Sequence, residues 1–149
     1  MHDDITLPRR PLCTFWVPGR PVPKARPRVT KTGVAFTPKE TKIYGELVAR
    51  HAEACIRIEP ELLPIDAPVA IEIIARLPRP KKSRYFIPAV RPDWDNLEKA
   101  IADGISRVRK DRGIWRDDCL VCDATFRKRY ARSPEEVGVS VAIYELLEP

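Results

Sequence analysis

Residues 68–77 alternate: Val69, Ile71, Ile73, Ala75 and Leu77 fall on one side and Glu72 and Arg76 on the other, the pattern of a half-buried strand. A second alternation sets Cys122, Ala124 and Phe126 against Asp123, Thr125 and Arg127, and Val137, Val139, Val141 and Ile143 predict a last strand. Near the start, residues 12–17 suit a strand stopped by Pro18-Gly19, and residues 33–36 a short strand returning after it. Two stretches follow helical spacing instead. In the first, Thr37 is the expected N-cap, Pro38 the first helical residue and Glu40 the partner in a capping box. Ile43, Leu47, Ala54 and Ile58 follow on one stripe, with Tyr44, Val48 and Cys55 on the adjoining row, and the helix is expected to end before Pro60. The second begins near Asp93 or Asp95, aligns Leu97, Ile101, Ile105 and Val108, and stops at Gly113. Residues 1–11 have no pattern and are expected to be a loose leader to a single domain, 12–149. The order β-β-α-β-α-β-β predicts an α+β fold, a mixed β-sheet with two main helices packed on one face.

Composition narrows the partners. Lys and Arg number 27 against 21 Asp and Glu, a net charge of +6, which fits an anionic partner. The basic residues gather in two proline-bounded segments. One holds Arg20, Lys24, Arg26 and Arg28; the other holds Arg79, Lys81, Lys82 and Arg84, followed by Tyr85 and Phe86. These are natural phosphate contacts, and Tyr85, Phe86 and Trp94 could stack on unpaired bases or pack in a core or interface. No apolar run approaches the ~18–20 residues of a membrane span and no signal-peptide stretch follows Met1, so a cytoplasmic protein without a membrane partner is expected. Cys119 and Cys122 have metal-ligand spacing but no second pair. The four cysteines read more simply as reduced thiols than as a zinc site. His51 falls mid-helix and reads as a surface residue.

The densest polar stretch is Arg91-Pro92-Asp93-Trp94-Asp95-Asn96-Leu97-Glu98-Lys99, followed beyond one helix by Trp115-Arg116-Asp117-Asp118. Asp93 and Asp95 stand two apart where extended backbone directs both carboxylates to one side. The unpaired N–H groups of a helix start tolerate their charge, and Lys99 follows Asp95 by one turn. If the second helix packs back on the sheet, Asp117 and Asp118 could return to the same end. Carboxylates without histidine or thiolate form a hard-oxygen set suited to Mg²⁺ or Mn²⁺. Two plainer readings stand beside this one. Asp95 could cap the helix with Glu98 as its capping-box partner, or Asp95, Lys99, Asp103 and Arg107 could form an exposed ladder of ion pairs.

The arrangement R-P-D-x-D-N-L-x-K, a helix, then W-x-D-D resembles the RusA family of Holliday junction resolvases, in the form of its phage and prophage branch. Residues 15–24, Arg26-Pro27-Arg28 and Thr37-Pro38 are similar to the family's opening, so the likeness covers about residues 14–130. It implies a Mg²⁺-dependent homodimeric endodeoxyribonuclease, with Mn²⁺ able to substitute and no nucleotide cofactor. Such an enzyme resolves four-way DNA junctions by paired symmetric cuts in recombination and repair. It also implies Asp93, Asp95 and Asp118 as metal ligands, Lys99 as the catalytic lysine and Asn96 as the motif asparagine, grouped with the DNA-contacting residues. The basic loop 107–113 departs from the family pattern and leaves substrate preference open. Alternatives are a structure-selective nuclease for flaps or forks, and a non-catalytic DNA-binding dimer.

Overall fold

The computed structural model describes residues 6–149; the first five residues of the expected leader, 1–5, lie outside them. The leader is shorter than expected. Strand β1 (Arg9–Pro18) begins three residues early, because Arg9, Arg10 and Pro11 pair with Leu146, Glu145 and Tyr144 of the last strand.

The elements that follow are β2 (Arg28–Val29), β3 (Ala35–Phe36), α1 (Lys39–Glu53), β4 (Val69–Leu77), α2 (Trp94–Ser106), β5 (Val121–Tyr130) and β6 (Gly138–Leu146). Strand β2 lies at the end of the first basic segment and pairs with β3 as a small separate hairpin. Its turn carries Gly33 at φ 86°, a left-handed position that glycine adopts without steric cost. Between α2 and β5 a short helical segment, α3 (Val108–Asp111), carries Arg109 and Lys110 at φ 54° and 57°. There the Arg109 N–H donates to Glu53 Oε1, and its guanidinium donates to the carbonyl of Leu63 at 3.2 Å.

The main sheet is mixed, with strand order β1-β6-β4-β5, and the fold is α+β. Strand β4 pairs antiparallel with β6 and parallel with β5. Alternate residues of β4, β6 and the edge strand β1 are buried on the helix side: Val69, Ile71, Ile73, Ala75 and Leu77 of β4, Val139, Val141 and Ile143 of β6, Cys13, Phe15 and Val17 of β1. Leu97, Ile101 and Ile105 of α2 close the core from above, as their spacing predicts.

Helix α1 departs from expectation in its cap, its end and its face. It starts at Lys39 with Pro38 in the cap position, and no side chain caps it, so Thr37 and Glu40 form no capping box. It ends at Glu53, and Ile58 lies beyond it. The buried row is Tyr44, Val48 and Ala52 with Gly45 and Ala49 beside it, whereas Ile43 is 53% exposed. The cause is the neighbouring helix. A Cβ placed on Gly104 of α2 would stand 2.5 Å from Val48 Cβ, so the helices meet where both carry small side chains. Close approach, rather than maximal hydrophobicity, selects the face of α1.

Candidate active site

Asp93 is the N-cap residue of α2, in extended conformation (φ −69°, ψ 146°), yet its side chain makes no capping hydrogen bond. Asp95 accepts only from the adjacent Asn96 N–H at 3.0 Å. Neither plainer reading of these aspartates therefore describes the chain. The ladder also fails to form: Asp103 pairs with Lys24 at 2.6 Å, across elements, instead of with Lys99 or Arg107. Both carboxylates are exposed at a helix start whose first N–H groups have no intrahelical acceptor.

Asp93 and Asp95 line a cavity of about 580 Å³ with Val90, Arg91, Trp94 and Lys128. Lys128 is the residue that sequence reasoning missed. Its ammonium donates to the carbonyls of Val90 and Pro92, the latter at 2.8 Å, and so fastens the chain leading into α2 to β5. Burial lowers its pKa from the ordinary lysine value, and the Asp93 charge acts in the opposite direction. A signal existed: carrying the alternation Cys122, Ala124, Phe126 one step further reaches a lysine on the side facing α2. Trp94 packs obliquely on Phe126, ring centroids 6.5 Å apart, but remains 57% exposed.

Lys99 is exposed on α2, one turn beyond Asp95. Asn96 is half-buried, and its carbonyl accepts from the Lys24 N–H at 2.9 Å, which ties the first basic segment to α2. Within that segment Lys24 is held by Asp103, while Arg26 and Arg28 are exposed. Of the second segment, Lys81, Lys82 and Arg84 are exposed, Arg84 lying over the Tyr85 ring and Arg79 over the Tyr130 ring at 5.2 and 5.6 Å. Arg20 and Arg79 share a second cavity, of about 460 Å³, with Arg132. Both basic segments thus meet near the ends of β4 and β5, the end where α2 begins.

Asp118 does not join them. It opens a 3₁₀ turn (Asp118–Leu120) leading into β5, and its Oδ1 accepts from the Trp115 indole N–H at 3.0 Å. Asp117 caps that turn by accepting from the Cys119 N–H at 2.9 Å, which lowers its pKa and gives it a structural task. Strand β5 runs parallel to β4, so α2 carries the chain to the start of β5 while Asp93 sits beside Lys128. The seven steps from Val121 to Lys128 span roughly 20 Å at ~3.3 Å each. The expectation that Asp117 and Asp118 return to the Asp93 end fails within one chain, because a parallel crossover delivers the chain to the far end. Among the described residues, no three His, Cys, Asp or Glu side chains gather closely enough to hold one ion. A single chain therefore offers two of the three expected carboxylates in one place.

Residues 18–144 match the family model described as Endodeoxyribonuclease RusA. No curated protein matches the chain.

Proposed function

The chain belongs to the RusA endodeoxyribonucleases, a family of Holliday junction resolving enzymes, and we propose that it is a Mg²⁺-dependent homodimer that cuts four-way DNA junctions by paired, symmetric phosphodiester hydrolysis. The observation that carries this reading is the position of Asp93 and Asp95: two carboxylates free of capping duty, on an open cavity, at the end of the molecule where both basic segments gather. A purely DNA-binding protein gains nothing from exposed carboxylates beside a phosphate track, since they repel the ligand.

Asp93 and Asp95 would hold the ion, and their hard oxygens fit Mg²⁺ or Mn²⁺. When bound, such an ion lowers the pKa of a water and offsets charge on the phosphoryl oxygens. The protein's own groups do the rest. Lys99, one turn into α2, offsets the negative charge that grows as the phosphodiester is attacked. Lys128 fixes the segment 90–92 by its two carbonyl contacts and so positions Asp93. Arg26, Arg28, Arg79, Lys81, Lys82 and Arg84 would hold phosphates, with Asn96 behind them. Phe86, 83% exposed, and Trp94 are placed to stack on bases that a branch point leaves unpaired. The same stacking suits flaps and forks, the second reading. Cytoplasmic location and prophage origin belong to the proposal; no helix among the described residues is long and apolar enough to cross a membrane.

The test is incubation of the protein with a synthetic four-way junction, a flap and a linear duplex in Mg²⁺, followed by mapping of the cuts. Symmetric paired nicks in the junction support resolution. Preferential cutting of the flap moves the assignment to a flap nuclease, and an uncut set of substrates overturns the reading.

A further inference from the structure

We infer that the open face of the sheet carries a second nucleic-acid site: one base of a single DNA strand stacks on the Trp16 indole while Arg76, Arg129 and Arg132 hold the phosphates beside it. The choice of DNA rests on the nuclease reading; the site rests on its own geometry. Trp16 alternates with the buried Phe15 and Val17 and so points away from α1 and α2. Its ring lies against the bare backbone of β6. A Cβ placed on Gly138 would collide with Trp16 Cζ2 and Cη2, so glycine is what makes room for the indole. Gly138 is paired with Arg76 of β4, and Arg76 with Arg129 of β5, which continues the row from the indole to two arginines on the same face. Arg76 donates at 3.0 Å to the hydroxyl of Ser140, the residue paired with Trp16, and this keeps its guanidinium beside the ring. Trp16, Arg76, Arg129, Tyr130 and Arg132 line a cavity of about 650 Å³, distinct from the one beside Asp93.

The charges on this face point to the ligand. Toward its other end, Arg9 is paired with Glu72 and Asp123 at 3.2 and 2.6 Å. Around Trp16 the pattern changes: Arg76, Arg129 and Arg132 form no ion pair among the described residues. The two carboxylates on the rim are engaged locally, Glu136 by the Arg132 N–H at 3.0 Å and Glu135 by its own N–H and Ser133. Like charges set directly across neighbouring strands, as Arg76 and Arg129 are, cost stability until an anion lies between them. Guanidinium groups suit phosphate, and an indole beside them suits a base, whose flat face every nucleotide offers whatever its sequence. A duplex keeps its bases in the stack, so ring and arginines together fit a single strand. Such a strand has a route to the site. Arg132 also lines the cavity of Arg20 and Arg79, next to the second basic segment. Lys128 and Arg129 are neighbours in β5 and face opposite sides, so the platform backs onto the Asp93 cavity across one strand. An unpaired strand leaving a branch point finds a cationic path around the end of β5 to Trp16.

The test is fluorescence anisotropy with a labelled short oligothymidylate, an abasic oligomer of the same length and a blunt duplex, in chelator so that no strand is cut. Trp16→Leu should weaken oligothymidylate binding by roughly 5- to 100-fold, the range of one lost base stack, and leave the abasic oligomer and the duplex within about twofold of wild type. Trp16→Phe, which keeps an aromatic face, should recover most of the loss. Replacing the exposed Arg129 and Arg132 together by Gln should lower the salt slope for oligothymidylate by about 0.7 for each phosphate contact removed. Oligothymidylate affinity that Trp16→Leu leaves alone overturns the platform, as does loss of all three ligands in parallel or an unchanged slope in the arginine pair. If Trp16→Leu fails to fold, photo-crosslinking of a bromodeoxyuridine oligomer to the wild-type chain decides: a crosslink at Trp16 supports the site, and crosslinks confined to Phe86 and Trp94 overturn it. Selective loss in Trp16→Leu, with no branched substrate cut by the wild type, supports the platform and sinks the nuclease reading alone. Branched DNA cut by the wild type, with single-strand binding untouched in the variants, does the reverse.

Discussion

The two ends of α2 differ in almost every physical respect. Its last turns are locked: Gly104 lets Val48 approach to contact, and Ile101 and Ile105 are each no more than 1% exposed. Its first turn is open: Asp93 and Asp95 are uncapped and exposed, and Trp94 is 57% exposed. A helix of thirteen residues thus anchors one end in the core and offers the other to a ligand. Rigidity at the far end is what lets an exposed carboxylate pair keep a defined position, since the backbone beneath it cannot drift. Substitutions at the two ends should therefore separate activity from stability.

The largest expected effect is at the open end. Asp93→Asn or Asp95→Asn should reduce cleavage by more than the ~10–100-fold that loss of an outer partner costs a metal site. Thermal stability should stay near wild type, because neither side chain caps the helix. Junction binding should hold or tighten with one fewer charge facing phosphate. Cleavage and gel-shift assays beside thermal melts check it; near-wild-type cleavage in both variants would remove the aspartates from the chemistry.

The reverse pattern is expected at the locked end. Gly104→Ala puts a methyl against Val48 with no room to receive it, and overpacking of this kind costs about 1–3 kcal/mol. Urea unfolding should show that loss, while junction cutting measured well below the melting temperature persists. Loss of cutting without loss of stability would mean that the two ends of α2 are not independent.

What could be read in the sequence follows the same division. Strand β4 and the core face of α2 were legible, because burial on one side leaves a period of two or near 3.6 that competing effects do not blur. The start of α2 was legible to within a residue, and with it the neighbourhood of Asp93 and Asp95. Direction was not legible. Alternation marks which side of a strand is inward, but it is the same for parallel and antiparallel pairing, so nothing in residues 121–127 showed that β5 runs with β4. That choice alone decides where Asp118 stands. The face of α1 was missed for another reason: Gly45, Ala49 and Ala52 are weak hydrophobic signals but are what the close crossing with Gly104 requires. Lys128 stands one step beyond the alternation of residues 122–127, and a charged side chain at such a position gives no apolar signal.

A smaller effect is expected where the basic segments meet DNA. Arg26 and Arg28 are exposed, whereas Lys24 is already paired with Asp103. Replacing both arginines by Ala should lower the slope of log affinity against log salt by roughly one to two units. Lys24→Ala should change that slope less, since its charge is partly committed within the protein. A larger change from Lys24 than from the arginine pair would place the phosphate track along α2 instead of along the hairpin.

The smallest expected effect concerns Asp117, which looks like part of the acidic set but is engaged with its own backbone. The Cys119 N–H bonded to its carboxylate is the main cause of its lowered pKa. A carboxyl whose pKa is lower in the folded chain than in the unfolded one adds stability above the unfolded value, ordinarily near 3.9 for aspartate, and loses that contribution as pH falls through the folded value. Asp117→Asn keeps an oxygen for the Cys119 N–H but cannot titrate. It should therefore flatten the acid limb of the stability profile slightly, below about pH 4, and leave neutral stability and Mn²⁺ binding close to wild type. Asp118→Asn, one residue away, should act on the ion instead and weaken Mn²⁺ binding. Chemical denaturation between acid and neutral pH, with Mn²⁺ titrations of both variants, separates the two neighbours. Weaker Mn²⁺ binding in Asp117→Asn than in Asp118→Asn would exchange their roles.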